Sequence, residues 1–379
     1  MKVLVANDTY HPDVNGSAYF TRRLAEGLTG RGHEVHVLCP ALDRRGGTVE
    51  RSGVVEHRVL AAVAPDVVHL QGHLVLGRAL LAEARAAGVP VVATNHFMPD
   101  NLVPYLRLPG PAERLAVRAA WRDLGRVFAD AHVVTAPTPT AAALVEAALL
   151  AAAGVPGPVL PVSCGMDLAR FRPGRDATVF RRAHGLAGPG VTIGHVGRLD
   201  PEKHVDDLVR VLPLLPPAAG VRLLVVGVGH EEDRLRDLAR RCGVADRVRL
   251  AGFVPDAELP AAYAAMDVFC ALGTAELQCI AALEAMASGL PLVAADAHAL
   301  PHLVRPGRNG ALVPPGDVAA LAAALVPLVT DAARRRAAGA ESRALAAGHD
   351  VGRTLGTFED LYTLVQPGAP ARRPAVPVP

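Results

Sequence analysis

Lysine is nearly missing from this chain. Of 39 basic residues among 379, only Lys2 and Lys203 are lysine and the rest are arginine, a bias that a GC-rich genome would produce and that makes each retained lysine conspicuous. An excess of one charge is also missing. The 39 basic residues face 37 acidic ones, for a formal charge of +2, too balanced for a protein whose main partner is a nucleic-acid backbone. The five cysteines, Cys39, Cys164, Cys242, Cys270 and Cys279, are odd in number and form no CxxC pair, so neither a disulfide framework nor a zinc site is indicated and a reducing cytosol is expected. Long apolar runs are absent, and the opening MKVLVANDTY turns polar too soon for a signal peptide. A soluble cytoplasmic protein, at most peripheral on a membrane, is expected. The GxGxxG fingerprint is absent too, and GVG at 227–229 is too short to replace it. No solenoid-type repeat is found.

What is present is a hydrophobic fraction of 51% in a chain too long for one core, which predicts two domains. Short β-branched runs alternate with Ala/Leu/Arg-rich segments: VLVA, a helix over 17–29, VHVL, VVHL, a helix over 77–87, VVAT and VVTA. A second series runs from VTIGHVG through VRLLVVG, VRLAGF, DVFCA and PLVAA, with intervening helices after Pro201 and over 231–241, 257–265 and through Glu284. Such alternation signals parallel βα units, hence two doubly wound sheets. The turn-rich stretch 161–176 marks the boundary, giving domains at 1–165 and 166–349. Leu355, Phe358, Tyr362 and Val365 share one helical face and need an apolar partner. The Pro-rich tail 367–379 is expected to be disordered.

Four constellations carry candidate chemistry. Glu276 and Glu284 lie in TAELQCIAALEAMASGLP, where a strand end runs into a helix. Glu284 sits in a helix apolar on nearly every side, and a buried carboxylate needs donors; ribose hydroxyls would serve, as would an arginine or partial solvation. Glu276 follows a strand end, where ligands bind in open α/β sheets. Leu277, Gln278, Cys279 and Ile280 offer backbone N–H groups at a helix start, a phosphate seat. In GHVGRLDPEKH, Asp200 reads as a helix N-cap and Pro201 as the first helical residue, which puts Lys203 in the first turn. A cation there opposes the helix dipole unless an anion such as a diphosphate is also present; a solvated surface lysine is the plain alternative. In NDTYHPDVNGSAYF, Gly16 would admit a phosphate or sugar close to the backbone, though an ordinary turn explains it equally. In VVATNHFMPDN, His96 follows a strand directly, where its imidazole could donate to a sugar hydroxyl or stabilise charge; many lone histidines are simply structural.

Together these features resemble the retaining GT-B glycosyltransferases of family 4, over residues 1 to about 366. The most specific element is the pair Glu276 and Glu284, supported by GRLDPEK and by VSCGMDLARF ahead of the second domain. The resemblance implies two Rossmann-like doubly wound domains facing each other across a cleft, an N-terminal acceptor domain and a C-terminal nucleotide-sugar donor domain, with a C-terminal helix, 350–366, crossing back to the first. It implies that Arg198 and Lys203 bind the donor diphosphate, Glu284 the ribose, and Glu276 with the backbone of Leu277 to Ile280 the sugar and distal phosphate. Val254 would edge the nucleotide base, and Gly16 and His96 would close the site. The implied reaction moves a hexose from UDP-glucose, GDP-mannose or a similar donor to a hydroxyl, with retention. Basic groups stabilise the leaving diphosphate. The chain has no D-x-D triplet to hold a metal on a diphosphate, so no metal and no cofactor beyond the donor itself is expected.

Two departures from the family pattern stand out. Where a Phe-Gly pair is common, this chain has Gln278 and Cys279, which leaves donor preference open. Only 26 residues, Ala41 to Asp66, join VHVLCP to VVHLQG, where the family places a strand, a loop and a full helix, so part of the acceptor wall is missing. Over 113–129, Arg114, Arg118, Arg122 and Arg126 form a basic helical stripe with Leu115, Trp121, Leu124 and Phe128 elsewhere around the helix. A solvated face on a soluble enzyme is the reading preferred; peripheral contact with anionic lipid is the other. NHFMPDNLVPY resembles the matching segment of bacterial members, including some thought to build glycolipids; a small-molecule or lipid acceptor is expected, its identity being left open between a glycolipid, a cyclitol or other small molecule and a polysaccharide. The competing functions are a sugar-nucleotide-binding protein without turnover and an epimerase of the same architecture, which should lack this spacing of Arg198, Lys203, Glu276 and Glu284.

Overall fold

The computed structural model describes residues 1–10, 15–40, 48–51, 54–57, 63–101, 108–154 and 158–367. The chain divides into two compact units, Met1–Cys164 with Gly352–Pro379, and Gly165–Val351. Residues 11–14 of the third motif, 102–105 of NHFMPDNLVPY, parts of the 41–66 connection and the tail from 368 lie outside the described residues.

The first unit is built on an eight-stranded sheet ordered β3-β4-β2-β1-β5-β6-β7-β8. Its strands are β1 (Lys2–Ala6), β2 (Glu34–Leu38), β3 (Thr48–Arg51), β4 (Val54–His57), β5 (Val67–Leu70), β6 (Val91–Thr94), β7 (Val133–Ala136) and β8 (Val159–Pro161). All pairings are parallel except the β3–β4 hairpin. The short runs VVHL and VVAT are buried at every position, as strands covered on both faces must be. Helices α1 (Gly16–Gly30), α2 (Val75–Ala86), α3 (Gly110–Phe128) and α4 (Pro139–Ala153) provide that cover. Strand β3 is absent from the sequence reading, because TVER alternates no apolar face; at the sheet edge a polar strand is tolerated. Between 41 and 66 the described residues hold this hairpin and no helix.

The second unit has a six-stranded sheet ordered β11-β10-β9-β12-β13-β14, all parallel. Its strands are β9 (Thr192–Val196), β10 (Arg222–Val226), β11 (Val248–Gly252), β12 (Val268–Ala271), β13 (Leu292–Ala295) and β14 (Gly310–Val313). Helices α5 (Thr178–Ala183), α6 (Val205–Val211), α7 (Glu232–Arg241), α8 (Leu259–Ala264), α9 (Ile280–Ala287), α10 (Val318–Thr330) and α11 (Ala332–Ala346) accompany them. Both faces carry apolar cores, one centred on Tyr263, Phe269 and Met286, the other on Ile193, Leu208 and Leu223. Counted within the unit, the strand order is that of the Rossmann fold, with the chain reversing direction across the sheet between β9 and β12. The crevice beyond the carboxyl ends of those two strands is where open α/β sheets hold ligands. β9 and β12 pair only through Ile193–Val268 and Gly194–Phe269, so their ladder stops before those ends.

Helix α12 (Val351–Leu364) supplies the missing partner for its own apolar face inside the first unit. Leu355, Phe358 and Tyr362 are buried, with Phe358 6.0 Å from the Phe20 ring on α1 and 4.9 Å from His69 on β5. Burying each such side chain stabilises by about 1.5–3 kcal/mol. Gly27 makes the approach feasible, since a Cβ there would lie 2.6 Å from Leu355 Cδ1. At the rim, Glu359 accepts from Arg31 Nη1 at 2.5 Å and meets His33 Nε2 at 3.0 Å.

Candidate active site

Lys203 and Glu276, from separate motifs, meet at the β9/β12 switch point. Chain leaving β9 turns through Gly197 and presents Arg198, then a short 3-10 turn over Pro201–Lys203. Chain leaving β12 presents Gly273 and Glu276 before α9. Lys203 Nζ donates to Glu276 Oε1 at 2.7 Å, and both side chains are largely covered, with 14% and 17% exposure. The Thr274 N–H donates to the Glu202 carbonyl at 3.0 Å, tying the two loops together. Gly273 lies close beside the pair: a Cβ there would lie 3.0 Å from Glu276 Oε1 and 3.4 Å from Lys203 Cδ. Burial works against the Lys203 charge, but the Glu276 carboxylate outweighs it and holds the ammonium pKa above its ordinary value.

The placement of Lys203 in the first turn of a helix is corrected. Lys203 ends the 3-10 turn, His204 takes a left-handed backbone with φ 50°, and α6 starts only at Val205. Asp200 has the extended backbone of an N-cap, yet its side chain makes no capping bond; the Arg198 guanidinium draws it away, and His230 Nδ1 lies 3.5 Å from it. What balances the Lys203 charge in this structure is Glu276, not a helix dipole. Arg198 also reaches Glu202 Oε1 at 3.2 Å while remaining half exposed. Asp200 and Glu202 are themselves buried, so the guanidinium is held at its base by two carboxylates and leaves its outer face to solvent.

Glu284, on α9, is 5% exposed, and its Oε2 accepts from the Tyr263 hydroxyl of α8 at 2.7 Å. That phenol is a partner the sequence reading missed; the signal lay in AAYAAMD, where a lone hydroxyl in an apolar helix demands an acceptor. Ahead of α9, Cys279 adopts a left-handed backbone with φ 63°, a conformation that costs an L-residue about 1–2 kcal/mol and that glycine adopts freely. The helix proper begins at Ile280, so only the last of the residues Leu277 to Ile280 lies within it. Burial pushes the Cys279 thiol well up. Val254 is 7% exposed and packs in the apolar core, while its neighbour Phe253 is 60% exposed. His195 on β9, another residue missed from sequence, donates from Nδ1 to the Cys270 carbonyl at 3.3 Å and has no partner at Nε2 among the described residues. Burial pushes it down to about 4. Among the described residues, His204, Asp206 and Asp207 could gather around a cation, but Arg210 already pairs with both aspartates at 2.6 and 3.0 Å.

Within the first unit, Gly16 is the exposed first residue of α1, where the Asn15 side chain caps the helix by accepting from the Ala18 N–H at 2.9 Å. His96 follows β6, with its ring 4.9 Å from Phe20 and its Nε2 2.8 Å from Gln71 Oε1. Desolvation pushes its imidazole down to about 4, so it is neutral at neutral pH.

Two Rossmann-like sheets, the second with the Lys203–Glu276 pair at its switch point, are the architecture of the GT-B class of glycosyltransferases. The sequence profile of glycosyl transferases group 1 matches residues 176–345, and that of glycosyltransferase family 4 matches residues 54–170. A GDP-mannose-dependent alpha-mannosyltransferase of Mycobacterium tuberculosis is 33% identical over 84% of this chain and 85% of its own length. A GDP-mannose-dependent alpha-(1-6)-phosphatidylinositol monomannoside mannosyltransferase of the same species is 36% identical over 47% of this chain and 49% of its own. Among solved structures, sucrose-phosphate synthase from Thermosynechococcus elongatus matches with a TM-score of 0.78 at 22% identity, covering 95% of this chain and 98% of that one. The chain belongs to glycosyltransferase family 4 and is a retaining glycosyltransferase that uses a nucleotide-sugar donor.

Proposed function

We propose that this enzyme transfers mannose from GDP-mannose to a hydroxyl of a lipid-linked or small polar acceptor. The observation that carries the donor site is the contact between Lys203 and Glu276, 73 residues apart in sequence, at the switch point of the second sheet. In this reading the second unit binds the donor and the first the acceptor. Arg198 and Lys203 neutralise the diphosphate in place of a metal, Glu284 accepts from the ribose, and Glu276, with the backbone of Leu277, Gln278, Cys279 and Ile280, holds the sugar and distal phosphate. The Val254 main chain edges the base. Gly16 and His96 are assigned to a sugar hydroxyl bound by the first unit. The acceptor oxygen bonds to the anomeric carbon on the face from which the nucleoside diphosphate leaves, and the hydroxyl proton passes to a phosphate oxygen of that leaving group. Stabilising the developing charge on that group is the main catalytic task. The preference for GDP-mannose rests on the likeness to the 33%-identical mannosyltransferase.

No described helix is long and apolar enough to cross a membrane. On α3, Arg114, Arg118, Arg122 and Arg126 are all exposed, Leu124 and Phe128 are buried, and Leu115 projects at 68% exposure. A basic stripe with a protruding apolar residue suits peripheral contact with anionic lipid, each arginine contributing about 1 kcal/mol near the surface. Replacing Arg114 and Arg118 by glutamine should weaken sedimentation with phosphatidylserine vesicles by about 30-fold; equal binding by the variant removes the membrane from the proposal.

The deciding experiment for the reaction is a screen of nucleotide sugars for thermal stabilisation and slow donor hydrolysis by the purified protein. GDP-mannose is expected to stabilise most and to release GDP with mannose of retained configuration. A protein that binds nucleotide but never frees it from any sugar nucleotide sinks the assignment.

A further inference from the structure

His96 ends a chain of polar side chains threaded through the first unit. Its Nε2 is 2.8 Å from Gln71 Oε1. The Gln71 amide nitrogen is 3.1 Å from His69 Nε2, and His69 Nδ1 is 2.6 Å from the Tyr362 hydroxyl on α12. Thr94 Oγ1 lies 2.7 Å from the same His69 Nε2 and 2.6 Å from Thr135 Oγ1. Gln71, His69, Thr94, Thr135 and Tyr362 are all buried. Gln71 follows β5 directly and His96 stands two residues beyond β6, and β5 lies beside β1 at the switch point of the first sheet.

We infer that Gln71 is a positioning residue that holds His96 as its Nε2–H tautomer and leaves Nδ1 as a hydrogen-bond acceptor, with His69 and Tyr362 holding Gln71 in turn. The inference rests on the assignment of His96 to the sugar. In this structure the Gln71 amide turns its oxygen towards His96, and an amide oxygen only accepts, so in this orientation His96 Nε2 carries the proton. The amide nitrogen only donates, so His69 Nε2 must be bare and its proton must sit on Nδ1, donated to the Tyr362 oxygen. The Thr94 hydroxyl, which accepts from Thr135, shares the single lone pair of that nitrogen with the Gln71 amide, the shorter contact being the Thr94 one. Every member then has a consistent role, as a buried network requires. Among the described residues the contacts of His96 and of the partners behind it are uncharged: α1 presents Phe20 to His96, while Thr94 and, from α12, Phe358 and Tyr362 surround His69, and Thr94 in turn meets Thr135. Desolvation pushes His69 down to about 3 and His96 to about 4, so each ring is neutral at neutral pH and has one proton to place. The consequence reverses the simplest expectation for this histidine. Its N–H is engaged by Gln71, so it accepts from a substrate hydroxyl at Nδ1 rather than donating to one.

The test uses full-length protein with 15N-labelled histidine, the His96 signals being identified by their loss in His96→Gln. Wild type should show the Nε2–H pattern at His96, and Gln71→Leu should admit the Nδ1–H form. In Gln71→Glu the new carboxylate should lift the His96 pKa towards neutrality, so that transfer rises about tenfold per pH unit below that value while wild type stays flat from about pH 6 to about pH 8. An Nδ1–H pattern in wild type, an unchanged tautomer in Gln71→Leu, or a Gln71→Glu pH profile parallel to wild type overturns the inference. If wild type transfers no sugar, the proposed function fails, and the spectra still decide the role of Gln71.

Discussion

The bond from Tyr263 to Glu284 offers the sharpest test of the donor site, because one atom can be removed without opening a cavity. In Tyr263→Phe the ring stays in the apolar core beside Phe171 and Phe269, and only the hydroxyl that donates at 2.7 Å is lost. A hydrogen bond to a buried charged group contributes about 1.5–3 kcal/mol. For a unit of this size each kcal/mol moves the melting temperature by about 2–4 °C, so the variant should melt about 3–12 °C lower in thermal denaturation. The same bond aims Glu284. If that carboxylate receives ribose hydroxyls, Glu284→Gln should weaken GDP binding by about 10- to 150-fold in calorimetry, and Tyr263→Phe should weaken it less. A Tyr263→Phe protein melting within about 1 °C of wild type would refute the energetic argument. Wild-type GDP affinity in Glu284→Gln would refute the ribose contact.

Other expectations follow from neighbouring groups. Glu276→Ala should abolish turnover with nucleotide affinity largely kept, whereas Lys203→Ala should weaken diphosphate binding; the opposite pattern in paired kinetic and binding assays means the two roles are exchanged. Cys279→Gly should be more stable than Cys279→Ala by about 1 kcal/mol in urea titrations, because glycine alone is unstrained at this backbone position. The neutral burial of His69, His96 and His195, with pKa values pushed down to about 3, 4 and 4, sets the sign of the acid response. The unfolded chain takes up these protons below about pH 6.5 and the folded one does not, so stability is complete above that value and falls as pH drops towards 4. Each histidine contributes at most about 1.4 kcal/mol per pH unit. Equal urea midpoints at pH 7 and pH 5 would contradict it.

Much of the architecture is legible because buried parallel strands leave a strong local signature: VLVA, VVHL, VTIGHV and VRLLVV announce themselves without a partner. TVER does not, since an edge strand takes its conformation from the β4 backbone rather than from an apolar face. At the site, the strand-end position of Glu276 and the rarity of lysine single out Glu276 and Lys203, two residues that the fold does bring into contact. Other partners were hidden for a physical reason. Tyr263 comes from another helix, and Tyr362 reaches His69 across 293 residues; no local period encodes such contacts. The turn at Pro201–Lys203 misled because a proline after an aspartate reads as a helix start, and only the Arg198 guanidinium, by taking that aspartate, shows why the cap is not used.

The return of α12 to the first unit has a bearing on biosynthesis. Phe358 and Tyr362 fill space against Phe20 and His69, yet a ribosome delivers them only after the whole second unit. Domains commonly fold as they emerge, N-terminal first. Here the second unit can complete itself while the first waits with an open apolar seam along α1 and β5. A nascent chain stalled before residue 352 would expose that seam to chaperones and proteases, so cells should degrade truncated products faster than finished enzyme.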